Sequence, residues 1–207
     1  MAMDKLVLAS LRALLKSLSK NGVSYADGFT YEDWTRLQTA AHPYPELTPT
    51  LKTALRQIEP VCGDGVTYWP CKALHASGEW QDCVYLARAS EWYPVWGIWP
   101  DEDSGKRELR LEEVHDLQES PSRLPARFAN ELYRQGESGM GYTLFEVEFA
   151  DGSRIAFDNG NAIDFLAYPP GKSGRDIVAV QAHTGRNSPH PFPSPEYVWC
   201  LFSGSVD

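Results

Sequence analysis

Apolar residues return every third or fourth position through residues 4–60, and this spacing predicts three helices. In the first, Val7, Leu11, Leu14, Leu15 and Leu18 share a face; Asp4 is placed to cap its start and Asn21-Gly22 to stop it. The second starts at Thr30, with Asp33 in capping-box position three residues on. Trp34, Leu37 and Ala41 form its apolar side, and His42-Pro43 ends it. The third has Thr48 as cap and Pro49 at the first helical position, where a missing N–H costs nothing. Leu51, Leu55 and Ile58 share its inner face and Pro60 terminates it.

Beyond Pro60 the period changes. Val66–Leu74, Gln81–Ala87 and Pro94–Trp99 are short, β-branched and aromatic runs that predict strands, with turns at 75–78 and 100–105. Glu108–Leu117 fits a strand or a short helix, and Pro125–Arg134 a helix burying Phe128, Ala129, Leu132 and Tyr133 and stopped by Gly136. In Tyr142–Phe149 the residues Thr143, Phe145, Val147 and Phe149 alternate with more polar ones, and Asp151-Gly152 is a favoured hairpin turn into Arg154–Asp158. Asn159-Gly160 offers another turn, and Ala162–Leu166, Ile177–Ala182 and Tyr197–Phe202 add strands, predicting a meander of about five antiparallel strands. The loop 168–176 is rich in proline and glycine, and prolines at 189, 191, 193 and 195 make an extended strip over 187–196.

The expected fold class is α+β. An N-terminal layer of about three helices (residues 1–60) packs on a twisted, mostly antiparallel sheet (residues 61–207) with one helix inserted near 125–134, all in one compact domain. An apolar content of 43% over 207 residues is enough for a core, and a net charge of −9 lacks the basic footprint of a nucleic-acid binder. The first helix carries Lys5, Arg12, Lys16 and Lys20 but is too short to span a bilayer, and its leucine stripe reads as a core face; no membrane partner is expected. Four cysteines without a secretory leader point to reduced thiols and a cytoplasmic location.

Several motifs fall short of the chemistry they suggest. Gly171-Lys172-Ser173 ends like a phosphate-binding loop, but Leu166 stands where that loop needs glycine. The glycines of 136–141 follow a helix and precede a strand, the reverse of a dinucleotide fingerprint. Cys62, Cys71, His75 and Cys83 are zinc-type ligands without a close cysteine pair, so no metal is expected. The oxygens of 158–164 lack calcium-loop spacing, since Pro169 occupies the twelfth position. Cys200 with His183 or His190, oriented by Asp164 or Asp176, is a conceivable nucleophile pair, yet Cys200 sits in an apolar strand that disfavours the thiolate. No catalytic residue and no cofactor are assigned.

Five of the seven tryptophans, Trp69, Trp80, Trp92, Trp96 and Trp99, lie within one window. If 94–99 is a strand, Trp96 points to the core, and Trp92 and Trp99 at its ends are left to form a surface. Asp101–Glu119 follows at once, with eight acidic residues against three basic ones. Aromatic anchors beside carboxylates suit a basic partner. The expectation is therefore a protein-interaction module, most concretely a bacterial immunity-type (antitoxin) protein covering a toxin, with Trp92, Trp99, Asp101, Glu102, Asp103, Glu112 and Glu113 at the contact. Two alternatives are a hydrolase using His183 or His75 with a nearby thiol or carboxylate, and a small-molecule or carbohydrate binder stacking its ligand on tryptophan.

Overall fold

The computed structural model describes residues 30–139, 141–160, 162–182 and 192–207. The first predicted helix, His183, His190 and the first half of the proline strip lie outside the described residues. The fold is α+β: four α-helices and two β-sheets among the described residues. The chain divides into two compact units, Met1–Pro43 and Tyr44–Asp207.

In the first unit, helix α1 spans Tyr31–Ala41. It starts where the capping box predicts: the Asp33 N–H donates to Thr30 Oγ1 at 3.1 Å and the Thr30 N–H to Asp33 Oδ2 at 3.0 Å. Two otherwise unbonded amides are thereby satisfied. Its buried positions are Thr35 and Gln38, whereas Trp34, Leu37 and Ala41 are half-buried.

The second unit begins with α2, Pro49–Leu55, whose cap is Thr48 Oγ1 accepting from the Leu51 N–H at 3.2 Å. Strands β1 (Val61–Gly63), β2 (Val66–His75) and β3 (Trp80–Arg88) then form antiparallel hairpins. The β1–β2 turn is Asp64-Gly65, both with positive φ (52° and 85°), the geometry that Asp-Gly favours. Helix α3 (Ala89–Trp96) follows, then β4 (Val114–Glu119) and helix α4 (Ala126–Gln135). Next come β5 (Thr143–Phe149), β6 (Arg154–Asn159), β7 (Ile177–Ala182), β8 (Phe192–Pro193) and β9 (Val198–Phe202). The first sheet runs β1-β2-β3-β9 with β4 also on β2, and the second runs β7-β5-β6-β8.

Three expected elements are corrected. The run 94–99 is not a strand; its first half closes α3, which Gly97 ends in the left-handed conformation at φ 69°. Glu91 fixes this helix by accepting the Thr67 N–H at 3.0 Å and pairing with Arg88, and burial of Trp92 and Tyr93 outweighs the poor helix propensity of Pro94. Ala162–Leu166 forms no strand beyond a single bridge from Phe165 to Arg123. Lastly, β9 leaves the predicted meander and pairs in parallel with β3, Tyr85 opposite Trp199. All five β9 side chains are buried, as expected of a strand covered on both faces, even though it ends the sheet.

The first sheet has a different core on each face. On one side Trp69, Cys71, Val84, Leu86 and Phe202 meet Leu51, Leu55 and Ile58. On the other, Tyr68, Tyr85 and Trp199 form an aromatic layer with Tyr133 of α4 and with Phe165; Tyr85 lies 4.7 Å from Phe165 and 5.0 Å from Trp199 between ring centroids.

Candidate functional site

Trp92 and Trp99 were expected at the surface, and the structure puts both indoles at 0% exposure. They stack at 6.2 Å between centroids, Trp96 stacks on Trp92 at 5.7 Å, and Trp199 meets Trp92 edge-on at 5.5 Å. The reason is the helix: positions 92 and 96 stand one turn apart on α3, so the two rings lie over each other against the sheet. Trp96, expected in the core, is instead half-buried; its Nε1 donates to the Tyr68 hydroxyl at 3.1 Å, and Lys106 lies over its ring at 5.4 Å. The cluster is a packing device, and neither Trp92 nor Trp99 offers a face to a partner.

The acidic half of the expected surface is accessible. Asp101, Glu102, Glu112 and Glu113 are exposed, the first two on a single 3₁₀ turn at Pro100–Glu102 and the others on a second turn at Leu111–Glu113. Asp103 is tied down by Lys106 and by the Gly105 N–H, which holds its carboxyl below the usual range. The tertiary fold gathers the two turns. Glu108 lies near the Tyr44 hydroxyl; its carboxyl is pushed up first by burial and then by Asp101 and Glu112, against the opposing pull of Tyr44 and Arg110. Tyr44 is in turn raised by burial, with Glu108, Asp101 and Glu102 adding to it. Three carboxylates from the two turns, with Glu108 between them, thus act on one neighbourhood.

Sequence reasoning missed Trp80. It is the tryptophan with a large exposed surface among the described residues, at 40%. It starts β3, opposite Leu74 of β2, which is in turn opposite Asp116 of β4. The Lys72 ammonium lies over its ring, 4.6 Å from the centroid. Pro/Val-rich neighbours made 92–99 the conspicuous aromatic run; Trp80 stood alone beside a turn, and that isolation at a hairpin tip was the available signal.

Of the two catalytic histidines considered, only His75 lies among the described residues. His75 Nε2 reaches Glu113 Oε2 at 3.4 Å and His75 Nδ1 reaches Ser77 Oγ at 3.1 Å. This resembles an acid–base–hydroxyl relay, but it lies on the exposed β2–β3 turn, where Ser77's own N–H also bonds the imidazole. Cys71, Cys83 and Cys200 are buried and their thiols are pushed up by desolvation, Cys83 to about 12, so the reactive thiolate is disfavoured. Among the described residues no three His, Cys, Asp or Glu side chains converge to hold a metal. A cleft of about 330 Å³ opens between 105–107 and 194–199, but the Trp199 indole at its floor is 1% exposed.

One carboxyl is buried completely. Asp164 Oδ2 accepts from the Tyr133 hydroxyl at 2.6 Å, its N–H donates to the Tyr85 oxygen at 2.9 Å, and Oδ1 has no partner. Burial raises it to about 6, against the Tyr133 and Tyr85 hydroxyls and Arg123, which favour the charged form. It knits α4, the 162–166 segment and β3 together. No described residue of the helices is part of a span long and apolar enough to cross a membrane. No family of proteins, no curated protein and no solved structure matches the chain.

Proposed function

We propose that the protein is an interaction module whose acidic face receives a basic partner protein, in its most concrete form an immunity-type (antitoxin) protein covering a toxin. The observation that carries this reading is the gathering of Asp101, Glu102 and Glu108 near Tyr44, with Glu112 of the second turn acting on Glu108, and with Asp101, Glu102 and Glu112 exposed. Like charges crowded on one surface repel each other and cost stability, so a partner that neutralises them gains energy that a dispersed surface would not provide. The same field speeds association and weakens as salt screens it over about 8–10 Å.

The test is capture from the native cells with the intact chain and with a variant carrying Asp101→Lys, Glu102→Lys and Glu112→Lys, checked by circular dichroism for an unchanged fold. A basic protein should be retained at low salt, released at high salt, and lost by the variant. Equal retention by both chains, or retention of acidic proteins alone, refutes the reading. In the immunity form, the captured protein loses its toxicity when the two are co-expressed.

A further inference from the structure

We propose that Trp80, Leu74 and Asp116 form an anchor slot for an arginine or lysine side chain of the basic partner. The proposal rests on the reading above and adds a specific point of attachment to it. Trp80, Leu74 and Asp116 are direct cross-strand neighbours on β3, β2 and β4. Directly opposed residues of antiparallel strands point to the same side of a sheet, so the three make one row. Lys72, two residues before Leu74, shares that side, as does Gln118 opposite Lys72.

This end of the sheet is covered on one face only. Ala73 and Leu117, which point the other way, are buried in the core with Leu55. On the row's own side the aromatic layer buries Tyr68 and Pro70, then stops: Lys72, Leu74 and Asp116 are half-buried and Trp80 is exposed. The result is an apolar platform with a polar rim, the form that energetic centres of protein interfaces take.

Charge selects the occupant. The exposed Glu79 immediately precedes Trp80 at the end of the turn, and Asp116 closes the row on the other side, with the Glu113–His75 pair at the strand end. Lys72, on the same side of the sheet one register step away, already shows what the indole accepts: an ammonium over the ring. An incoming arginine can lie flat on the part of the indole that Lys72 leaves open and meet Asp116, whose Oδ1 is held in place by the Leu117 N–H at 2.9 Å. The platform is preorganised by strand pairing and by Lys72, so little side-chain freedom is lost on binding.

The experiment uses the whole chain labelled for NMR, with the Trp80 indole N–H assigned through Trp80→Phe. An oligoarginine peptide is the probe, with oligoglutamate and the neutral sugar maltohexaose as controls. Oligoarginine should move the Trp80 indole resonance, and Trp80→Ala should weaken its binding about tenfold or more while Trp80→Phe retains most of it. If the peptide binds in a salt-dependent way but the indole does not respond and Trp80→Ala binds equally, the anchor is wrong and the acidic-face reading stands. If the peptide does not bind at all, both fall. If maltohexaose moves the indole and oligoarginine does not, the platform is a sugar site and the proposal is overturned.

Discussion

Replacing Asp164 by Asn should remove a pH dependence from the stability of the fold. In the native protein this carboxyl is 0% exposed and ionises near pH 6, against an ordinary value of 3.8. The cause is loss of water around the charge, which the 2.6 Å bond from Tyr133, the Tyr85 hydroxyl and the charge of Arg123 only partly offset; Oδ1 finds no donor. Each tenfold change in proton affinity is worth about 1.4 kcal/mol, so the rise from 3.8 to about 6 corresponds to about 3 kcal/mol. The folded state holds its proton more tightly than the unfolded chain. Protons therefore favour folding: the contribution is complete below pH 3.8, declines through the window up to about 6, and is gone above it. A domain of this kind has about 5–15 kcal/mol in all, so the effect is measurable. Urea unfolding followed by tryptophan fluorescence, run from about pH 4 to about pH 8, gives the stability of both proteins. The difference between wild type and Asp164→Asn should shift by about 2.4 kcal/mol across that range, wild type losing ground as pH rises. Reading the slope rather than the absolute value removes any cost of placing an amide N–H₂ at the orphan position. A difference that stays constant with pH would show that Asp164 is not a buried, proton-sensitive carboxyl.

Three further outcomes follow from packing. At Gly63 a Cβ would lie 2.5 Å from the Tyr133 ring, so Gly63→Ala should displace that ring from Asp164 and cost about 1–3 kcal/mol in chemical denaturation; an unchanged midpoint would contradict the close approach. Of the four cysteines only Cys62 is exposed, so one thiol should react rapidly with Ellman's reagent in the native state and all four after unfolding; rapid reaction of two or more would refute the burial of β2, β3 and β9. Leu55 is completely buried between α2 and the sheet, and Leu55→Ala should cost about 2–5 kcal/mol, read as a lower urea midpoint at unchanged slope; a loss below about 1 kcal/mol would mean that α2 does not cover this face.

The elements that were legible in the sequence are those whose signals are local. Thr30 with Asp33, and Thr48 with Pro49, mark helix starts because the bonds they make close within four residues. The β5–β6 hairpin could be read from alternation and from Asp151-Gly152, whose glycine N–H donates to the Phe149 carbonyl at 2.8 Å with φ at 81°. The 94–99 run was misread because Trp, Tyr, Val and Ile favour strands in general, while the signal for α3, Gly97 placed to end a helix, is weaker than the burial that decides the matter. The contact surface shifted for the same reason. The acidic residues kept their exposure because solvated charge needs no partner, but a tryptophan's exposure depends on what the rest of the chain lays over it.

The sequence by itself determined the α+β class, the caps and turns, the acidic balance and the run of carboxylates from 101 to 119, since each rests on residue chemistry within a few positions. Only the tertiary structure decided which strands pair and which aromatic rings are covered. Parallel pairing of β9 with β3 joins residues more than one hundred positions apart, and no local preference encodes a contact at that separation. The same long-range packing closed Trp199, Trp92 and Trp99 into the interior, left Trp80, Leu74 and Asp116 in one row at the open end of the sheet, and drew the carboxylates of two turns toward Glu108 and Tyr44.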